Sequence, residues 1–202
     1  MQGVLNQAEF DNPRRLRRWM LRASGWRNAT AQHEGGMWDP KEVKLRRGQV
    51  MFRIGHSQSW RGPVPMAINL SSPWWFEGET FADIGVTSNN TGLGQQAVAR
   101  LKLSVSERYG VFDTIICVRL RESLGALRGE GNPVFDPPDP DSTTPPPVWA
   151  YPGSNVKQCF IPGLRDFHER PTDLPDAAFE LLGTRSVHAW QAIDDKGFLS
   201  IR

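Results

Sequence analysis

Eight of the sixteen prolines crowd into residues 133–152, among them the run Pro145-Pro146-Pro147. Proline has no N–H to give to a ladder or a helix, so this stretch predicts an extended loop. Eight tryptophans and nineteen glycines go with it, which favours short elements joined by many turns over a helical bundle. The length of 202 residues suits one domain, or one domain with an extension. Twenty-four Lys and Arg against twenty-two Asp and Glu leave a net charge of +2, so bulk charge does not point to nucleic acid. No apolar run approaches the roughly 18–20 residues that cross a bilayer. The first residues, Met1 to Asn6, lack the basic start and apolar stretch of a signal peptide. Cys117 and Cys159 have no partner at zinc-ligand spacing and are expected as buried thiols in strands.

Asn12 and Pro13 followed by a run to Gly25 predict a short capped helix. Leu16, Trp19 and Met20 share one face of it, while Arg14, Arg15, Arg17, Arg18 and Arg22 fill the solvated remainder. Residues 28–41 read as a loop. Val43–Ile54 turns at Arg46-Arg47-Gly48 and continues as a half-buried strand in which Val50, Phe52 and Ile54 alternate with Gln49, Met51 and Arg53. Ile68–Leu70 suggests a short strand, Trp74–Ile84 a helical turn and Thr87–Gly94 a loop. Gln95–Tyr109 predicts a helix with Ala97, Val98, Leu101 and Val105 on one face. Thr114–Leu120 is the strongest central-strand pattern, Val156–Ile161 a further strand and Thr172–Leu182 a helix. Ser186–Ile193 and Gly197–Ile201 suggest a terminal hairpin. Strands from distant parts of the chain predict an α+β fold.

Three stretches carry chemistry when read together. Leu45–His56 places Arg53 near a strand end, just before Gly55 and His56. Asn69–Phe76 sets Ser71 and Ser72 beside Trp74, Trp75 and Phe76. Tyr151–Gly163 is a glycine turn leading into a strand that bears Gln158. This order of arginine, serine and glutamine resembles the ADP-ribosyltransferase superfamily. The Gly–x–x–x–x–Gln–x–x–x–Pro form of the last stretch is most similar to the tuberculosis-necrotizing-toxin type of NAD glycohydrolase. Leu120–Gly129 resembles the strand and turn that precede that motif. The likeness runs over residues 43–202 and departs from the family in the Pro-rich insertion and the serine motif.

The resemblance implies two small, mostly antiparallel β-sheets forming an NAD cleft with helices at the edges. It implies a helical lead-in at 1–42 and an NAD-binding toxin domain at 43–202 that contains the 133–152 loop. It also implies a toxin effector that cleaves NAD as its substrate, with no further cofactor and no metal. Such an effector would be delivered by a secretion system, act in the cytoplasm of a target cell and be held off by a proteinaceous immunity inhibitor. ADP-ribosylation of a protein or nucleic acid is the alternative. Arg53, Ser72 and Gln158 take the catalytic positions; Arg53, Ser71, Trp74, Trp75, Phe76 and His56 would bind NAD. The chemistry fits, since nicotinamide leaves as a neutral base and asks for a phosphate clamp, a stacking surface and a held ribose more than for a strong acid. Arg53 offers a planar fork to phosphate, and a serine hydroxyl can orient it. Gln158 can accept from a hydroxyl but cannot act as a base, which favours hydrolysis over transfer unless Glu169 enters the cleft from a neighbouring loop.

Other readings remain open on the residues alone. Glu77 and Glu79 form a Glu–x–Glu pair, but they lie too close to Ser72 for another strand and its return, and so read as surface acids. His56, His168 and His188 could form a nuclease site, with His33 in the early loop. A Trp-rich binding module would present an exposed aromatic strip.

Overall fold

A computed structural model describes residues 2–25, 36–59, 61–105, 112–132, 134–135, 150–151 and 154–188. Two helices come first, α1 (Ala8–Asp11) and α2 (Pro13–Ala23). The Asn12 side chain accepts from the backbone N–H groups of Arg14 and Arg15, Pro13 fills the first helical position, and Gly25 follows with φ 79°. The expected helix is therefore present with both of its punctuation marks.

The strands are β1 (Met37–Leu45), β2 (Val50–Gly55), β3 (Gln58–Ser59), β4 (Gly62–Pro63), β5 (Trp74–Glu77), β6 (Thr114–Leu120), β7 (Leu124–Gly131), β8 (Val134–Phe135), β9 (Ala150–Tyr151), β10 (Ser154–Phe160) and β11 (Phe179–Ser186). Between them lie α3 (Met66–Leu70), α4 (Gly78–Thr91), α5 (Gln95–Leu103) and α6 (Leu174–Ala178). Seven strands form one sheet in the order β1-β7-β10-β5-β2-β6-β11, and all of its pairings are antiparallel. Two further two-stranded pairs, β3 with β4 and β8 with β9, stand apart from it. The fold is α+β with a mostly antiparallel sheet. The expectation of two small main sheets is corrected, because β5 joins what would have been two halves. Trp74 and Trp75 pair with Phe160 and Cys159 of β10, whereas Phe76 and Glu77 pair with Phe52 and Met51 of β2.

Side chains along β2 and β6 alternate between two cores, as the two-residue period of a strand requires. Phe52, Ile54, Ile115 and Cys117 meet Phe81, Ile84, Val98, Ala99 and Leu103 from α4 and α5. Met51, Ile116, Val118 and Leu120 meet Trp75, Ala178 and Phe179 on the other side, with Met66 and Leu70 of α3 against them. The half-buried β2 expected from its alternation is thus covered on both faces. Phe10, Trp19 and Ala23 form a third cluster with Met37, Leu127 and Phe160, so α1 and α2 pack on the β1–β7–β10 side. The boundary expected at residue 42 falls inside β1.

Several local expectations are corrected. The loop expected over 28–41 gives way to β1 from Met37. Ile68–Leu70 is helical, because α3 starts from Pro65 and Asn69 turns inward. Trp74–Ile84 is strand β5 followed by α4, which continues to Thr91 and ends at Gly92 with φ 71°. On α5, Val98, Ala99 and Leu103 are buried while Ala97 and Leu101 are exposed. The helix expected over Thr172–Leu182 is only five residues long, and the chain from Phe179 pairs with β6 as β11. The terminal hairpin lies outside the described residues beyond His188. Cys117 and Cys159 are free and buried in β6 and β10, and burial pushes the Cys117 thiol up to about 12 and the Cys159 thiol upward as well.

The Pro-rich segment lies outside the described residues except at its base, where Val134 pairs with Tyr151 and Phe135 with Ala150. On either side of it, β7 and β10 are neighbours in the same sheet. The excursion thus leaves and rejoins one sheet. Shortening the segment between Phe135 and Ala150 should leave the melting temperature within a few degrees, since each doubling of loop length changes closure entropy by only about 0.6 kcal/mol. A thermal melt checks this, and a cooperative loss of folding would show that the segment belongs to the core.

Candidate functional site

The β2–β5 ladder ends at the pair Phe52–Phe76, and β5 itself is only four residues long. Beyond that pair a cavity of about 330 Å³ opens, within the size range of ligand sites. Arg53, His56, Ser72, Trp74, Trp75, Phe76 and Gln158, seven of the eight expected site residues, line it. They come from β2, the α3–β5 turn, β5 and β10. The eighth, Ser71, stands behind the wall.

Arg53 donates through Nη1 to the Ser72 hydroxyl and, at 3.1 Å, to the Trp74 carbonyl. Its Nε is buried without a partner. Burial, and after it the charge of Arg165, pulls its pKa from 12.5 down to about 9. A cation so placed is short of compensating negative charge. Ser71 does for Arg165 what Ser72 does for Arg53: its Oγ accepts from Arg165 Nε at 3.2 Å, while Arg165 Nη2 donates to the Ile68 carbonyl. Two consecutive serines at the end of α3 therefore hold two guanidinium groups through uncharged hydroxyl acceptors.

Gln158 is buried, and its Nε2 donates to the carbonyl of Leu103 at 2.8 Å. That carbonyl belongs to the last turn of α5, where helix carbonyls lack intrahelical partners. Gln158 therefore closes a helix end as well as lining the cavity. The tight fit extends to Gly131, where a Cβ would lie 2.9 Å from Gln158 Nε2.

Of the three aromatics next to the serines, Trp75 and Phe76 are core. Trp75 is 1% exposed, gives its Nε1 hydrogen to the Ser72 carbonyl and packs on Phe179; Phe76 stacks on Phe52. Trp74 is half-buried, edge-on to Phe160 at 5.1 Å. Sequence reasoning picked out His56 but missed Phe112, Arg100 and Trp19, which line the cavity with it. His56 stacks on Phe112 at 4.7 Å, with Arg100 over the same ring at 4.8 Å. Trp19 stacks on Phe167 at 4.2 Å. Asn69 holds His56 in place by a two-way exchange with its backbone, donating to its carbonyl at 2.8 Å and accepting from its N–H at 3.2 Å.

Among the described residues, four arginines line the cavity, Arg22, Arg53, Arg100 and Arg165, against one carboxylate, Glu169. Arg22 and Arg165 gave no signal in sequence, since arginines in a helix and a turn look alike whether they face solvent or a cavity. Glu169 does enter the cavity, but it is ion-paired with Arg22 and lies 3.9 Å from Arg165. Glu77 lies elsewhere, bound by Arg128 at 3.0 Å and by Gln49 at 2.8 Å. His168 and His188 do not line the cavity, so the three-histidine site is not assembled; His33 lies outside the described residues. Among the described tryptophans, Trp38 alone is exposed, so these residues form no aromatic strip.

Fold and cavity together define an α+β protein with a basic, aromatic-walled pocket. No protein-family model and no curated protein matches the chain. Among solved structures it is similar to "Rhs1-CT in complex with cognate immunity protein RhsI1", at 14% identity and a TM-score of 0.45, over 77% of this chain and 86% of that one.

Proposed function

We propose that the protein is an NAD glycohydrolase that breaks the bond between nicotinamide and ribose. One observation carries the reading: Arg53, Ser72 and Gln158, far apart in sequence, line one small cavity. Its cationic lining suits a diphosphate, and Trp74 with the His56–Phe112 pair offers flat surfaces for a base. In keeping with the resemblance, the proposal extends to a toxin effector acting inside a target cell and neutralised by an immunity protein.

In this reading the Arg53 fork, oriented by Ser72, and the Arg165 guanidinium, held by Ser71, bind the two phosphates. The Gln158 amide is fixed by its bond to Leu103, and its carbonyl oxygen accepts from a hydroxyl of the nicotinamide ribose. As the C1–N bond breaks, its electron pair stays on the ring nitrogen and converts the pyridinium into neutral nicotinamide. The positive charge moves to the ribose C1–O bond, water adds at C1, and the proton it sheds goes to solvent. Neither a metal nor a strong acid is needed for this departure, and Gln158 cannot supply a base. Glu169, engaged with Arg22, is not set to activate an acceptor, which favours water over a protein or nucleic acid.

Incubation with labelled NAD and a bacterial lysate should release equal amounts of free nicotinamide and ADP-ribose. Gln158→Ala should lower kcat by about tenfold to a hundredfold with a smaller change in KM, because ribose orientation counts most in the transition state. Label appearing mainly on one protein or RNA would replace hydrolysis by transfer. Intact NAD after prolonged incubation would overturn the reading.

A further inference from the structure

The lining of the cavity is strongly positive. Among the described residues its ionisable members are Arg22, Arg53, Arg100, Arg165, His56 and Glu169. Four arginines against one carboxylate leave a surplus of three positive charges, to which His56 adds one or none. The neighbouring acids do not cancel it. Asp166 is bound by Arg170 at 2.7 Å and Glu9 by Arg15 at 2.9 Å, so each meets a cation of its own. Asp113, next in the chain to Phe112, does not line the cavity and accepts from Ser57 and Thr114; counted in full, it would remove one charge of the three. Arg53 is the most desolvated of the cations, with its Nε buried and unpartnered, and attraction to a charge so placed is the least weakened by water and salt. The cavity is about 330 Å³. At that size every charge on its wall acts on any charged part of a ligand inside it, since the screening length at physiological salt is about 8 Å.

We propose that the cavity holds ADP-ribose, the product that keeps the diphosphate, more tightly than NAD itself, so that the enzyme is restrained by its own product. This rests on the NAD reading and deepens it. NAD enters with two negative phosphates and one positive pyridinium ring. Hydrolysis adds water across the C1–N bond. Nicotinamide leaves with the electron pair of that bond as a neutral molecule, the water oxygen bonds to C1, and one proton goes to solvent. The ligand left behind keeps both phosphates and has lost its positive charge, so its net charge passes from minus one to minus two. A positive lining therefore attracts it more strongly after turnover than before. The two phosphate grips, Arg53 with Ser72 and Arg165 with Ser71, are the same for both ligands. The sign of the effect follows from the summed charge of the wall, whichever residue meets the base. What the product gives up is the stacking of the base, and that contact, unlike the charge, is insensitive to salt. Nicotinamide, uncharged, has no comparable hold and departs first.

The test follows nicotinamide release from NAD with added ADP-ribose, with added nicotinamide, or with neither. ADP-ribose should compete with NAD at an inhibition constant about tenfold below the KM, whereas nicotinamide at the same concentration should leave the initial rate within twofold. Raising salt from 50 to 500 mM should weaken ADP-ribose by a larger factor than NAD, because the ligand with the greater charge loses more to screening. Arg100→Gln and Glu169→Gln shift the charge of the wall by one unit in opposite directions. The ratio of KM to the ADP-ribose inhibition constant should fall about threefold in the first and rise about threefold in the second, whatever either does to kcat. Should a variant fold poorly, the salt series on wild type decides the matter. An inhibition constant equal to or above the KM, or a ratio that neither the variants nor salt move, would overturn product retention and leave the NAD reading standing. No release of nicotinamide under any condition would overturn both.

Discussion

Arg53→Ala should reduce nicotinamide release from NAD by two to three powers of ten in kcat/KM, with most of the loss in KM. A two-pronged bond to phosphate is worth about 1.5–3 kcal/mol per charged hydrogen bond, and each factor of ten in rate corresponds to about 1.4 kcal/mol. The fold should not suffer in step. The guanidinium is desolvated, one of its nitrogens is orphaned, and its pKa is drawn down by burial and by Arg165. Buried with no carboxylate partner of its own, it is therefore an electrostatic burden. Arg53→Met, which keeps the packing, should melt at or above the wild-type temperature. Inorganic pyrophosphate should raise the melting temperature of wild type but not of this variant. Activity and stability measured on the same samples separate the two roles. A variant that both unfolds and loses activity would assign Arg53 to the architecture.

The second large effect lies at a residue that does not line the cavity. Asn6 is 5% exposed and uses its whole amide. Nδ2 donates to the carbonyls of Gly125 and Pro162 at 2.9 and 2.8 Å, and Oδ1 accepts from the Gly125 N–H at 2.8 Å. One side chain thus pins the N-terminal segment to the start of β7 and to the turn after β10. Phe10 lies so close over Gly125 that a Cβ there would come within 2.3 Å of its ring, so the contact allows little adjustment. Asn6→Ala orphans three backbone groups at about 1–3 kcal/mol each. We expect a loss of about 3 kcal/mol or more, equivalent to a fall of roughly 10 °C in melting temperature for a chain of this size. Asn6→Asp should do no better, because it turns an oxyanion toward two carbonyls. A melting temperature within a degree or two of wild type would show that the segment is held by its apolar contacts alone.

The parts of the fold visible in the sequence were those whose signal is local. Asn12, Pro13 and Gly25 mark the ends of α2 by their own chemistry, and the β-branched run Thr114–Leu120 suits a strand with neighbours on both sides. The misread segments take their structure from elsewhere. The chain after Ala178 extends because β6 offers it an edge, and β5 is a strand because two different strands claim its two ends. The candidate site behaves the same way. Arg53, Ser72 and Gln158 could be picked out by their order, whereas Trp75 and Phe76 looked like a platform because an aromatic pair reads alike in a core and at a surface. Arg22 and Arg165 became informative only once a turn and a helix had brought them to the same carboxylate.

The short central strand has a mechanical consequence. β1 and β7 are registered over seven residue pairs and β2 and β6 over six, but β5 meets each flanking strand over two. The sheet is therefore two stiff plates riveted along a narrow seam, with the cavity at the seam's open end. Opening concentrates where the fewest hydrogen bonds must break, so a flexing of plate against plate is the motion this seam favours. A ligand bound as proposed, gripped by Arg53 of one plate and Gln158 of the other, would work as an additional rivet, and the energy that binds it would also close the seam.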